Sequence, residues 1–199
     1  MSKELAVPLS PSASTSAAAS RAARLLRPAA IVLAGSLFAA ACAHIAIPLF
    51  FTPVPLTLQP FAVLLLGLLL TPRLAAATFG AYLLEGAAGL PVFAPSALGG
   101  VAHLLGPTGG YLLAYPLAAA LISYLWRSSR RTFAFAALSA AAGDLLILAC
   151  GWLWLSMLTH SAQPALAMAI LPFLPGEALK IAAAAGIAAG AQRLRRRGI

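Results

Sequence analysis

Six apolar stretches organise the chain, separated by short polar breaks or by loops rich in Pro and Gly. They cover about residues 29–50, 56–71, 74–90, 107–126, 133–157 and 175–192. A helix needs about 20 residues to cross the hydrocarbon core, so the second, third and sixth stretches are marginal and depend on burial within a bundle. The pattern predicts an all-α polytopic membrane protein with six transmembrane helices over residues 28–192. Residues 1–27 form a tail rich in Ser, Ala and Pro that is expected to be disordered. Residues 193–199 form a short basic tail.

Composition sharpens this reading. Hydrophobic residues make up 62% of the 199, charged residues only 9%, and mean hydropathy is +0.95. A soluble domain of this size would have almost no polar surface to present to water. The net charge of +9 could suggest nucleic acid as a partner, but the basic residues form no single patch. They recur between apolar stretches, which is a topology signal and makes the lipid bilayer the expected surrounding. Lys3, Arg21, Arg24 and Arg27 precede the first stretch; Arg73 follows the second, and Arg127, Arg130 and Arg131 follow the fourth. Arg193, Arg195, Arg196 and Arg197 end the chain. The intervening loops 51–55, 91–106 and 159–174 carry no Lys or Arg. Six crossings with both termini in the cytoplasm satisfy every one of these positions. A cleaved signal sequence is a rival for the first stretch, and the Ala-Ala-Cys42 run has a lipoprotein flavour. A polytopic chain needs that stretch as its first span.

One basic residue stands outside the loops. Lys180 lies inside the sixth apolar stretch, three residues after Glu177. Charge within a bilayer segment is costly and marks a candidate functional site. At i, i+3 the two side chains share a helix face, and a structural ion pair that lets both be buried is the plainer alternative. Two more acids enter the membrane region. Glu85 is twelve residues beyond Arg73 and Asp144 thirteen beyond Arg131. At 1.5 Å per residue both rise about 18 to 20 Å above the cytoplasmic basics. All four ionisable residues thus fall in the outer half, which points to a shared site open to the outside. Three acids exceed what one lysine needs for pairing. The expectation is that Lys180 grips a ligand carboxylate while Glu177, Asp144 and Glu85 are available to accept ligand N–H groups. His103 is the titratable group of the 91–106 loop, and Gly35, Ala39 and Ala43 form a small-residue stripe on the first helix. No phosphate-binding Gly-x-x-x-x-Gly-Lys-Ser/Thr loop, His-Glu-x-x-His or Gly-x-Ser-x-Gly occurs. A membrane enzyme using the acids for proton chemistry therefore lacks its usual motifs, and no cofactor or metal is expected.

Four motifs carry a family resemblance. Pro53-Val54-Pro55-Leu56-Thr57-Leu58-Gln59 is followed by Gly89-Leu90-Pro91-Val92-Phe93 and by Leu105-Gly106-Pro107-Thr108-Gly109-Gly110-Tyr111. The last is Leu171-Pro172-Phe173-Leu174-Pro175-Gly176-Glu177 with Lys180. In this order they resemble the biotin-specific S-component, BioY, over roughly residues 29–192. The resemblance implies a six-helix membrane protein that binds biotin from outside and is not an enzyme. It also implies docking on an energy-coupling factor module, made of a transmembrane protein and two ATPases, in the cell (inner) membrane. Within the motifs it implies that Glu177, where Asp is usual, and Lys180 contribute to the biotin site; Gln59, Tyr111 and His103 are further substrate-binding candidates. The small face of Gly35, Ala39 and Ala43 is then the implied docking surface. Biotin suits the residues: a carboxylate for Lys180, two ureido N–H groups for the acids, and an apolar ring and tail for an apolar cavity. A proton-coupled carrier acting alone and an S-component for another small vitamin are the alternatives.

Overall fold

A helix appears at each of the six apolar stretches, and two shorter helices sit in the loops between them. The computed structural model describes residues 12–96, 98–196 and 198, with side chains from residue 26 onward. The helices are α1 Ser12–His44, α2 Gln59–Leu69, α3 Pro72–Ala87, α4 Val101–Leu105, α5 Gly109–Arg127, α6 Phe133–Thr159, α7 Ala162–Ala169 and α8 Leu174–Arg196. Two short strands, β1 Ala46–Ile47 and β2 Leu56–Thr57, pair antiparallel between α1 and α2.

Helix α1 begins well before the boundary expected at residue 27. Residues 12–27 contain a run of Ala and Arg, which are strong helix formers, and no Gly or Pro. The first eleven residues of the expected disordered tail lie outside the described residues, as do most of the last three of the basic tail.

Three helical segments are long and apolar enough to cross a membrane unaided: Leu26–His44, Gly109–Arg127 and Phe133–Thr159. A fourth crossing is possible if α7 and α8, bent by 47° at their junction, act as one span. The other two helices are short. Helix α2 has 11 residues and α3 has 16, about 16 and 24 Å at the standard rise. They join through a tight turn with Pro72 at the start of α3. The Leu70 carbonyl, left free at the end of α2, accepts hydrogen bonds from Ser123 Oγ (2.6 Å) and Arg127 Nε (3.2 Å) of α5. That satisfies a group the helix end would otherwise strand in an apolar setting.

Helix α5 is the centre of the bundle, packed on α6, α3 and α2, while α1 lies against α3 and α2, and α8 against α6 and α2. Glycine sets the spacing of the α5–α6 pair. A Cβ at Gly151 would overlap the Tyr111 ring, and one at Gly143 would overlap Ile122. These two glycines, two turns apart on α6, let α5 approach as closely as it does. The outward faces carry Leu37, Leu145, Leu153 and Met157, all exposed. An apolar exterior of this kind suits lipid rather than water.

The outer loops are pinned by side chains reaching loop carbonyls. Tyr111 Oη donates to Ala169 O (2.8 Å), Trp154 Nε1 to Gly106 O (2.9 Å) and Thr52 Oγ1 to Met168 O (3.0 Å). Tyr82 Oη donates to Val92 O (2.8 Å) and accepts from Gln59 Nε2 (2.6 Å). Helices α2, α3, α5, α6 and α7 are thereby tied to the loops above them.

Candidate functional site

A narrow cleft runs into one end of the bundle between α2, α5, α6 and α8. Measured out to its open mouth, with the open solvent there, the space is about 520 Å³. Its wall is chiefly apolar and aromatic, including Tyr111, Leu112, Tyr115, Ile147, Leu148 and Phe173. One group of polar residues interrupts it: Asp144, Glu177 and Lys180.

Each member of this group is placed by a helix. The loop before α8 contains Pro172 and Phe173, and Glu177 N donates to Phe173 O at 2.9 Å as the helix starts. Glu177 falls in the first turn of α8, where the amino end of a helix favours an acid. Lys180 follows one turn on, and its Nζ donates to Glu177 Oε1 at 2.7 Å. Asp144 projects from the middle of α6 and lies within electrostatic reach of both. Relative exposures of 3% for Glu177, 4% for Asp144 and 8% for Lys180 put all three out of water. Two carboxylate oxygens, Asp144 Oδ1 and Glu177 Oε2, are buried without any hydrogen-bond partner. Buried acceptors without partners carry a desolvation cost, so each calls for a donor.

The mouth is built from the loops. Pro55, Ala94, His103 and Thr108 line the cleft and also a wider opening beyond it, bounded by Thr52, Pro53 and Ser96. His103 is 5% exposed, tilted over Phe93 with ring centroids 4.9 Å apart. Its Nδ1 lies 3.0 Å from Ser96 Oγ and 3.3 Å from Leu98 O. Tyr115 and Lys180 each sit six residues inside their helices, about 9 Å from the helix starts. The charged group is therefore at the inner end of the cleft.

Of the candidates read from the sequence, the structure brings together Lys180, Glu177, Asp144, Gln59, Tyr111 and His103 around one cleft. Glu85 is not among its lining residues. It sits half-buried between α3 and α1, accepting a hydrogen bond from Ser36 Oγ at 2.9 Å. Counting residues along a helix gives depth but not direction around the helix axis, and Glu85 points to a different neighbour. The same correction applies to Gly35, Ala39 and Ala43. All three are buried within this chain, and a Cβ at Gly35 would come 2.6 Å from Thr78 Cγ2 of α3. The helix their small size admits is α3 of the same molecule, so the stripe is internal packing rather than an open docking face. Among the lining residues that the sequence reading did not single out for the site are Tyr115 and Phe173. Tyr115 follows Tyr111 by one helical turn, and Phe173 lies inside the Pro-Gly-Glu motif, so both left a signal.

Fold and cleft together define a multi-pass membrane protein with an apolar-walled cleft that carries one group of buried polar residues. Comparison with known proteins narrows the class. The model of the BioY family matches residues 12–197, and the chain belongs to that family. It is 43% identical over 136 residues to a probable biotin transporter BioY of Pyrococcus horikoshii, covering 68% of this chain and 79% of the relative. It is 38% identical over 152 residues to the biotin transporter BioY of Thermotoga maritima, covering 76% and 88%. Its fold is similar to a crystal structure of the S-component for biotin from an ECF-type ABC transporter. There the TM-score is 0.76 at 26% identity, over 87% of this chain and 93% of the other. The named relatives are transporters, not enzymes.

Proposed function

We propose that this chain is the biotin-binding membrane subunit of an importer, and that biotin enters the cleft with its ureido ring first. The observation that carries this reading is the pair of buried, unpartnered carboxylate oxygens, Asp144 Oδ1 and Glu177 Oε2. Biotin offers two ureido N–H groups, one for each. Lys180, already paired with Glu177, then has N–H donors left for the ureido carbonyl. This orientation departs from the sequence-based expectation that Lys180 grips the biotin carboxylate. The reason is the surroundings of the lysine: Lys180 is already paired with Glu177 and Asp144 lies beside them, so a ligand carboxylate would face two acidic side chains in a low-dielectric site. The valerate chain instead runs along Tyr111, Leu148 and Phe173, leaving its carboxylate at the mouth near His103 and Thr108.

The likeness to an ECF-type S-component supports docking on a transmembrane coupling protein with two ATPases. The chain carries no nucleotide-binding loop of its own, so ATP hydrolysis would belong to those partners. Six crossings, cytoplasmic termini and residence in the cell (inner) membrane complete the proposal. It rests on the alternation of basic and uncharged loops. The short α2 and α3 would cross as part of a bundle in which longer neighbours shield their ends.

Two measurements test the reading. Mass spectrometry of small molecules released from the purified protein should find biotin; a different vitamin would assign the cleft to another S-component ligand. Uptake in cells should require ATP hydrolysis. The buried Asp144 favours one rival, a carrier that relays protons through this acid. That rival predicts uptake abolished by uncoupler while ATP hydrolysis is intact and no ATPase partner is needed.

A further inference from the structure

A second pocket opens at the opposite end of the bundle, where α5, α8 and the α5–α6 turn meet. Three guanidinium groups converge on it: Arg127 from the end of α5, Arg131 from the turn, and Arg195 from the last turn of α8. Arg131 and Arg195 are both close enough to act electrostatically on Arg127. Trp126, Ala188 and Gln192 complete the wall, and the space is about 410 Å³ to its mouth. No carboxylate compensates these charges among the described residues. Asp144 and Glu177 are in the cleft and Glu85 is against α1.

Three like charges held together are unfavourable unless something offsets them. The structure nevertheless holds one of them, Arg127, in place. Arg127 Nε donates to Leu70 O (3.2 Å) and to Ser123 Oγ (3.3 Å), which orients the guanidinium and leaves its terminal nitrogens available. Arg131 has a left-handed backbone (φ 54°), and its N–H donates to Ser129 Oγ at 3.3 Å. That conformation is uncommon for a residue with a side chain. The small side chains of Ala188 and Ala191 leave room in front of the arginines. Guanidinium forks match phosphate oxygens in geometry as well as charge. Basic pockets between helices at a membrane surface are suited to anionic lipid headgroups.

We propose that Arg127, Arg131 and Arg195 form a binding site for a phosphate-bearing anion, filled in the membrane by the phosphodiester headgroup of an anionic phospholipid. The site lies at the far end of α5 from the cleft: Tyr111 and Arg127 are sixteen residues apart, about 24 Å along the helix. It is independent of what the cleft binds.

Native mass spectrometry of the full chain in detergent tests this, with phosphatidylglycerol, phosphatidylcholine and inorganic phosphate as probes. The expected result is retention of phosphatidylglycerol over phosphatidylcholine by at least fivefold. The combined change Arg127→Gln, Arg131→Gln and Arg195→Gln should remove that preference. Arg73→Gln, which alters a basic residue outside the pocket, should keep it. Millimolar inorganic phosphate that displaces the lipid adduct, or binds in its place, would show that phosphate alone is recognised and would also support the site. A preference for phosphatidylglycerol that survives the triple change, or no preference in the natural chain, would overturn the proposal. Should the triple variant fail to fold, Arg195→Gln alone, at the exposed end of α8, should still weaken retention measurably.

Discussion

Lys180 and Glu177 are joined at 2.7 Å and all but removed from water. Replacing one partner of such a pair leaves the other charge buried and uncompensated, which is usually strongly destabilising. A binding role and a purely structural role thus both predict damage from Lys180→Ala, and comparing ligands shows which end of biotin lies at Lys180. If the ureido head lies at this group, Lys180→Ala weakens biotin and biotin amide alike, by about tenfold or more. A hydrogen bond to a charged group is worth about 1.5 to 3 kcal/mol, and about 1.4 kcal/mol is one decade in affinity. Calorimetric titration of both ligands checks this. A much smaller loss for the amide would return the carboxylate to Lys180. These residues were legible in the sequence because ionisable groups are rare in an apolar stretch. Glu85 shared that signal and depth but not the site, because direction around a helix is set by packing partners that the sequence does not name.

At the scale of helices, the glycines of α6 decide how closely α5 can lie. Gly151→Leu would drive a side chain into Tyr111, which lines the cleft and also holds Ala169 O. Overpacking costs about 1 to 3 kcal/mol. A lower melting temperature in detergent, together with weakened biotin binding, is the expected outcome. The small stripe of α1 leads to a different expectation from the one its sequence suggests. Ala39 is fully buried, so Ala39→Trp should disrupt packing on α3 and depress both protein stability and ligand binding. Selective loss of energised uptake with normal binding and stability would instead make the stripe a docking surface. The stripe was visible in the sequence; its partner was not, because a small residue admits any helix, from the same chain or another. Helix α1 beginning at Ser12 was missed for a related reason. Low complexity suggested disorder, whereas an Ala- and Arg-rich run has high intrinsic helix propensity.

For the whole molecule, charge placement carries the argument. A helix coincides with each apolar stretch, yet among the described residues three segments are long enough to cross unaided, or four counting the bent pair. The shortness of α2 and α3 follows from the Pro-rich loop before one and the Thr71-Pro72 turn between them. Introduced cysteines at Ser96 and Ser128 should report the orientation: Ser96 labelled by an impermeant reagent from outside, Ser128 only after the membrane is opened. The reverse pattern would invert the topology. The two ends of the bundle are chemically opposed, with an acid-rich group in the cleft at one end and three arginines at the other.

The central claim is that the outer cleft binds biotin through unpartnered carboxylate oxygens. Calorimetric titration of the detergent-purified full chain with biotin, run on the natural protein and on Asp144→Asn, tests it most directly. Asn keeps the shape of Asp but replaces one charged acceptor with an amide. The account predicts saturable one-site binding by the natural chain. It predicts affinity lower by about tenfold in the variant, the order of one charge-assisted hydrogen bond, with an unchanged melting temperature. Absence of saturable biotin binding by the natural chain, or equal affinity in a well-folded Asp144→Asn, would contradict it.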